Sequence, residues 1–99
     1  MQPNRLLFTD EAEGVLRELG ALAQYQKKLA KVRRTLGRIQ QNPGHPGLNS
    51  HKYDSIEGIN GEEVWESYVE NRTPSAWRVF WHYGPGKNVL TIVTIGPHP

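Results

Sequence analysis

In the stretch WRVFWHY, strand alternation sends Arg78, Phe80 and His82 to one face and Trp77, Val79, Trp81 and Tyr83 to the other, which reads as the core face. A guanidinium held on a rigid strand is a fixed donor for phosphate, because its planar fork can make two parallel hydrogen bonds. In the stretch VWESYVEN, Glu66, Tyr68 and Glu70 share one parity. If the two strands pair, Glu66, Tyr68, Arg78 and His82 come to a common face. An acid, a phenol, a guanidinium and an imidazole are the ingredients of acid and base chemistry on a phosphodiester. The structural alternative is an ion pair across the strands, from Arg78 to Glu66 or Glu70. His98 follows Gly96-Pro97, which interrupt the strand pattern, so alternation does not set its direction.

These groups need a scaffold. The run Arg5 to Phe8 reads as a first strand, and Thr9 can cap a helix whose first turn carries Asp10 and Glu11, acids that suit the positive end of the helix dipole. Ala12, Val15, Leu16, Leu19, Leu22 and Ala23 then recur at helical spacing, with Gly20 placed to end or loosen the helix. A second helix is expected from about Tyr25 to Gln41, with Leu29, Val32, Leu36 and Ile39 on one stripe. Asn42-Pro43-Gly44 stops it, and a loop runs through Gly47. Asn60-Gly61 marks a turn, and three β-rich runs follow. The expectation is one α+β domain over residues 1–99. It has an N-terminal strand and a helical hairpin on one face of a curved antiparallel sheet of about four strands.

The 99-residue chain supports one modest core and no cofactor-sized cavity; no cofactor is expected. With no cysteine, disulfides and Cys-ligated zinc are excluded, which fits a reducing, cytoplasmic setting. No window approaches the roughly 20 apolar residues of a membrane span. The four histidines (His45, His51, His82, His98) show no metal-ligand spacing, so no metal site is expected. A phosphate loop, a dinucleotide fingerprint and a nucleophile elbow are likewise absent from the sequence.

Net charge is only +2, but it is unevenly placed: residues 27–38 hold six bases and no acid, and residues 54–70 hold six acids and no base. Lys27, Lys31, Arg34 and Arg38 form a stripe opposite the apolar stripe of helix 2. Such a stripe is either a solvated face or a surface for a polyanion.

Four pieces of the chain, LLFTDEAEGVLREL, LNSHKYDSI, EVWESYV and WRVFWHYGPGKNVLTIVTIG, resemble in order the RelE/ParE superfamily of small bacterial toxins, and its RelE- and HigB-like branch in particular. That resemblance implies an endoribonuclease that cleaves mRNA, usually on the ribosome, and is restrained by a cognate antitoxin. The implied chemistry is attack of the ribose 2′-hydroxyl on the adjacent phosphate. By position, Arg78 matches the family arginine that stabilises the scissile phosphate. Glu66 and Tyr68 fall where RelE itself carries two strand lysines, which leaves Glu66 as a general-base candidate and His98 as the acid. His98 falls where the family places an arginine or histidine after the last strand. Many relatives continue into a segment bearing a tyrosine, whereas this sequence ends at Pro99, so either His98 substitutes, or the sequence is truncated, or catalysis is impaired. The resemblance gives the basic stripe a use, docking on ribosomal RNA, with His51 and Lys52 extending that surface. A gyrase-directed toxin of the ParE kind and a non-catalytic binder are the alternatives.

Overall fold

The computed structural model describes residues 4–98; Met1 to Pro3 and Pro99 lie outside the described residues. The chain runs β1 (Arg5–Phe8), α1 (Asp10–Ala21), a short 3-10 turn at Ala23–Tyr25, α2 (Gln26–Gln41), a second at Pro46–Leu48, then β2 (His51–Glu57), β3 (Glu63–Tyr68), β4 (Trp77–Tyr83) and β5 (Val89–Pro97). Thr9 caps α1 by accepting the Ala12 amide through its hydroxyl, as its type and place suggest. Its hydroxyl also donates to the Val93 carbonyl at 2.6 Å, so the same residue fixes the helix to the sheet.

The sheet has five strands in the order β1-β5-β4-β3-β2. This differs from the expectation in two ways. The segment His51–Glu57 is a strand, hidden in the sequence by its charged, mostly exposed residues. And β1 lies parallel to β5, so the sheet is mixed. The two helices carry the chain from β1 at one edge to β2 at the other, and the antiparallel run β2, β3, β4 brings β5 back beside β1 in the same direction.

Both helices bury one stripe against the sheet: Ala12 and Leu19 from α1, and Leu29, Val32, Leu36 and Ile39 from α2, packed with Leu48, Val79, Trp81, Leu90, Ile92 and Ile95. Each such aliphatic side chain contributes about 1.5–3 kcal/mol through burial. Leu22, assigned to this stripe by periodicity, is half exposed because α1 ends at Ala21, past Gly20. Tyr83, assigned to the core by alternation, is also exposed at the last position of β4. Beyond it the chain turns through Gly84 and Gly86, at φ 87° and 84°, backbone that glycine adopts without strain.

Register decides the site. Tyr68 pairs with Arg78 and Glu66 with Phe80 across β3 and β4. Across β4 and β5, Phe80 pairs with Thr94 but Trp81 with Ile92, so β5 carries one extra residue there. That bulge puts both Ile92 and Ile95 in the core although they are three apart. It also restores Thr94 and Gly96 to the Phe80 and Arg78 face, and the strand continues through Gly96-Pro97.

Candidate functional site

Glu66, Tyr68, Arg78 and His98 come together on the face away from the helices. Glu66 is the hub, with only 1% of its side chain exposed. Its Oε1 accepts from Arg78 Nε at 3.1 Å and lies 2.6 Å from His98 Nδ1. Its Oε2 has no hydrogen-bond partner among the described residues, and His51 Nε2 stands 3.4 Å from it. A buried carboxylate is costly unless charge partners surround it, and here a guanidinium and two imidazoles do so.

His98 reaches this hub because β5 does not end at Gly96. The amide of His98 donates to the Ala76 carbonyl, extending the ladder by one rung and giving His98 the parity of Gly96. Interrupted parity had left its direction open; the bulge and the continued strand settle it. With Nδ1 committed to Glu66, the ring stays partly exposed, and Nε2 is the nitrogen left for proton transfer.

The Arg78 guanidinium is buried and heavily engaged. Besides Glu66, Nη1 donates to the Glu70 carbonyl at 2.5 Å and to the Trp77 carbonyl at 3.1 Å. Its central carbon lies 3.7 Å from the Tyr68 ring centroid, a cation–π contact. The cross-strand ion pair weighed from sequence therefore exists, with Glu66, while Glu70 takes part through its backbone. Nη2 is the part of the fork without a protein acceptor among the described residues.

The Glu70 carboxylate binds elsewhere. It accepts from Lys28 Nζ at 2.7 Å, Lys31 Nζ at 3.3 Å and the Trp77 amide at 3.2 Å. Burial pushes this carboxyl up, but the bonds from Lys28, Trp77 and Lys31 outweigh that and hold it below its ordinary 4.5. Lys28, which also sits 4.9 Å over the Trp77 ring, had no distinguishing signal within a run of bases.

The basic stripe is thus divided. Lys31 is paired with Glu70, whereas Lys27, Arg34 and Arg38 are exposed and have no ion-pair partner among the described residues. Lys31, Arg34 and Arg38 line one wall of a cleft whose other wall includes Asn49, Tyr68 and Glu70. Tyr68 belongs to both the cleft and the Glu66 cluster, and Thr35 on α2 holds it by donating to its carbonyl at 3.2 Å.

His51, grouped with the RNA-docking surface from sequence, lies within the cluster instead. Its Nδ1 is 3.1 Å from the Asn49 carbonyl and its ring meets Tyr68 edge-on at 6.1 Å. Lys52 points outward to an exposed pair with Glu63 at 3.2 Å. His82 has the right parity, but its ring is buried and Nδ1 faces the Tyr83 carbonyl at 2.8 Å. Sequence reading missed Tyr53, whose ring lies 6.2 Å from His98; the signal was its shared parity with His51 in a segment not read as a strand. Among the described residues no group of three His, Asp or Glu side chains is arranged to hold a metal ion. No helix of the described residues is long and apolar enough to cross a membrane.

The chain matches no family model and no curated protein sequence. Solved structures are similar over nearly its whole length. A YoeB/ParE toxin from Agrobacterium tumefaciens aligns with a TM-score of 0.67 at 11% identity, covering 96% of this chain and 99% of that one. A chain of the archaeal RelE-RelB complex from Pyrococcus horikoshii OT3 aligns with a TM-score of 0.64 at 13% identity, covering 95% of this chain and 93% of that one. The heterotetrameric YoeB-YefM toxin-antitoxin complex from Staphylococcus aureus contains a chain with a TM-score of 0.64 at 14% identity, covering 97% and 98%. The class defined by this architecture is the RelE-like α+β fold. Within it the chain stands beside RelE and YoeB structures, at identities that speak for fold alone.

Proposed function

We propose that this chain is the toxin of a toxin-antitoxin pair and acts as an endoribonuclease on mRNA engaged by the ribosome. The observation that carries the reading is the Glu66 carboxylate, buried between Arg78 and the exposed imidazole of His98 on a fold shared with RelE and YoeB toxins. In the reaction the ribose 2′-oxygen attacks phosphorus and the bond to the 5′-oxygen breaks. One proton leaves the 2′-hydroxyl and one joins the departing oxygen, giving a 2′,3′-cyclic phosphate and a 5′-hydroxyl. Phosphate charge falls to Arg78, through Nη2, and to the imidazoles. His98 and His51 are the proton-transfer pair. Glu66 is closed off from solvent, so its role becomes orientation of His98 through Nδ1 rather than direct proton abstraction.

The exposed Lys27, Arg34 and Arg38 extend this reading to a phosphate-backbone surface that meets the cluster at Tyr68. An antitoxin partner is supported by the RelE-RelB and YoeB-YefM complexes among the similar folds. A second reading, a non-cleaving binder, whether of RNA, a partner or gyrase, is favoured by the engagement of Arg78 with three protein acceptors. Primer extension on mRNA after expression of wild type, Arg78→Ala and His98→Gln separates them, run beside a gyrase supercoiling assay. Cuts present in wild type and lost in both variants support the nuclease; no cuts, with or without gyrase inhibition, sink it.

A further inference from the structure

We infer that the open apolar pocket beside the Glu66 cluster is a nucleobase subsite, an inference that rests on the phosphodiester reading above. Its lining includes Tyr53, Ile56, Phe80, Thr94, Gly96 and Pro97, around a volume of about 310 Å³. The pocket and the charged cluster are neighbouring positions of one sheet face. Phe80 stands opposite Glu66 on β3 and opposite Thr94 on β5, and Gly96 stands opposite Arg78.

Two features select the occupant. The first is an aromatic corner: the Tyr53 and Phe80 rings lie 4.9 Å apart with a 60° tilt, and Tyr53 also meets His98 edge-on. The second is charge at the rim, where His98 and Arg78 adjoin a lining that is mainly apolar. An occupant must therefore join a planar apolar ring to an anion within one short linker, as a nucleotide does. Gly96 keeps the floor open, since a Cβ built there meets nothing within 4 Å. The lining is mainly apolar and Phe80 is almost wholly buried, which leaves Tyr53 as the accessible ring, so the subsite takes bases by contact with Tyr53 and discriminates weakly among them.

The test uses a nuclease-resistant 2′-O-methyl dinucleotide carrying 2-aminopurine, whose fluorescence is quenched on stacking, and the same molecule with an abasic sugar in place of that base. The full chain is compared with Tyr53→Ala and with Gly96→Val, which fills the pocket without removing an aromatic ring. Expected are quenching by wild type, affinity for the base-bearing ligand weakened roughly tenfold or more in each variant, and unchanged affinity for the abasic ligand. Should both variants bind the base-bearing ligand as wild type does, the subsite is overturned while RNA binding stands. Binding of the abasic ligand alone by wild type also overturns it. If wild type binds neither ligand, the phosphodiester reading falls and the subsite with it.

Discussion

Arg78 and Glu70 are joined through the Glu70 carbonyl, which accepts from Nη1 at 2.5 Å, while the Glu70 carboxylate faces Lys28 and Lys31 on α2. One residue thereby ties the second helix to the guanidinium at the centre of the site. The helix that carries the basic stripe and the strand that carries Arg78 are held together by these three bonds.

Replacing Glu70 by Gln keeps the backbone carbonyl and removes the charge. The carboxylate is only 16% exposed, so the change is expected to cost about 1–2 kcal/mol of stability, measured by urea unfolding at neutral pH. Loss below a few tenths would show the clasp to be dispensable.

The folded-state pKa of Glu70 lies below 4.5, so the native state binds fewer protons there than the unfolded chain does. This group therefore stabilises the fold above pH 4.5, and the contribution disappears as pH falls through the folded value. Unfolding curves from pH 7 to pH 3 are expected to fall less steeply for Glu70→Gln than for wild type. Parallel profiles would assign the acid sensitivity to other carboxylates.

Removing Arg78 takes the guanidinium from the buried Glu66 carboxyl and leaves it only the imidazoles of His98 and His51. Arg78→Met is expected to destabilise by roughly 3 kcal/mol, and Glu66→Gln/Arg78→Met to recover part of that loss. RNA cleavage should return in neither. A double variant whose loss equals the summed losses of Arg78→Met and Glu66→Gln would indicate that the two side chains are not coupled.

His98 is partly exposed and contributes no core packing, so His98→Gln should unfold at nearly the wild-type denaturant concentration. Cleavage of ribosome-bound mRNA is expected to fall by about 10²–10⁴-fold, the range for loss of a proton-transfer group. Retained cleavage with His51→Gln inactive would move the role wholly to His51.

Charge reversal is best placed at Arg34 and Arg38, since Lys31 is engaged by Glu70 and its loss would also perturb the fold. The double variant should bind ribosomal RNA more weakly and reduce the slope of log affinity against log salt by about 0.7–0.9 per lost phosphate contact. An unchanged slope would return the stripe to the status of a solvated face.

Within the core, Ser67 accepts from Trp81 Nε1 at 2.7 Å and lies 2.6 Å from the Ser50 hydroxyl. Periodicity marks Ser67 only as a residue on the core side of β3. Its role as acceptor for a buried indole depends on the register of β3 with β4, which local sequence does not encode.

What the sequence determined by itself was the helices, every strand but β2, and the faces of most of them. Helical spacing placed Leu29, Val32, Leu36 and Ile39 in the core, and alternation put Glu66 with Tyr68 on one face of their strand and Arg78 on the face of its own strand opposite Val79 and Trp81, because side-chain direction follows from local periodicity. Only the tertiary structure decided how those groups meet. The β5 bulge and the rung from His98 to Ala76 bring His98 to Glu66, and β2 brings His51 and Tyr53 beside them. These are pairings between segments distant along the chain. Their register is set by packing and backbone hydrogen bonds that no short stretch of residues contains.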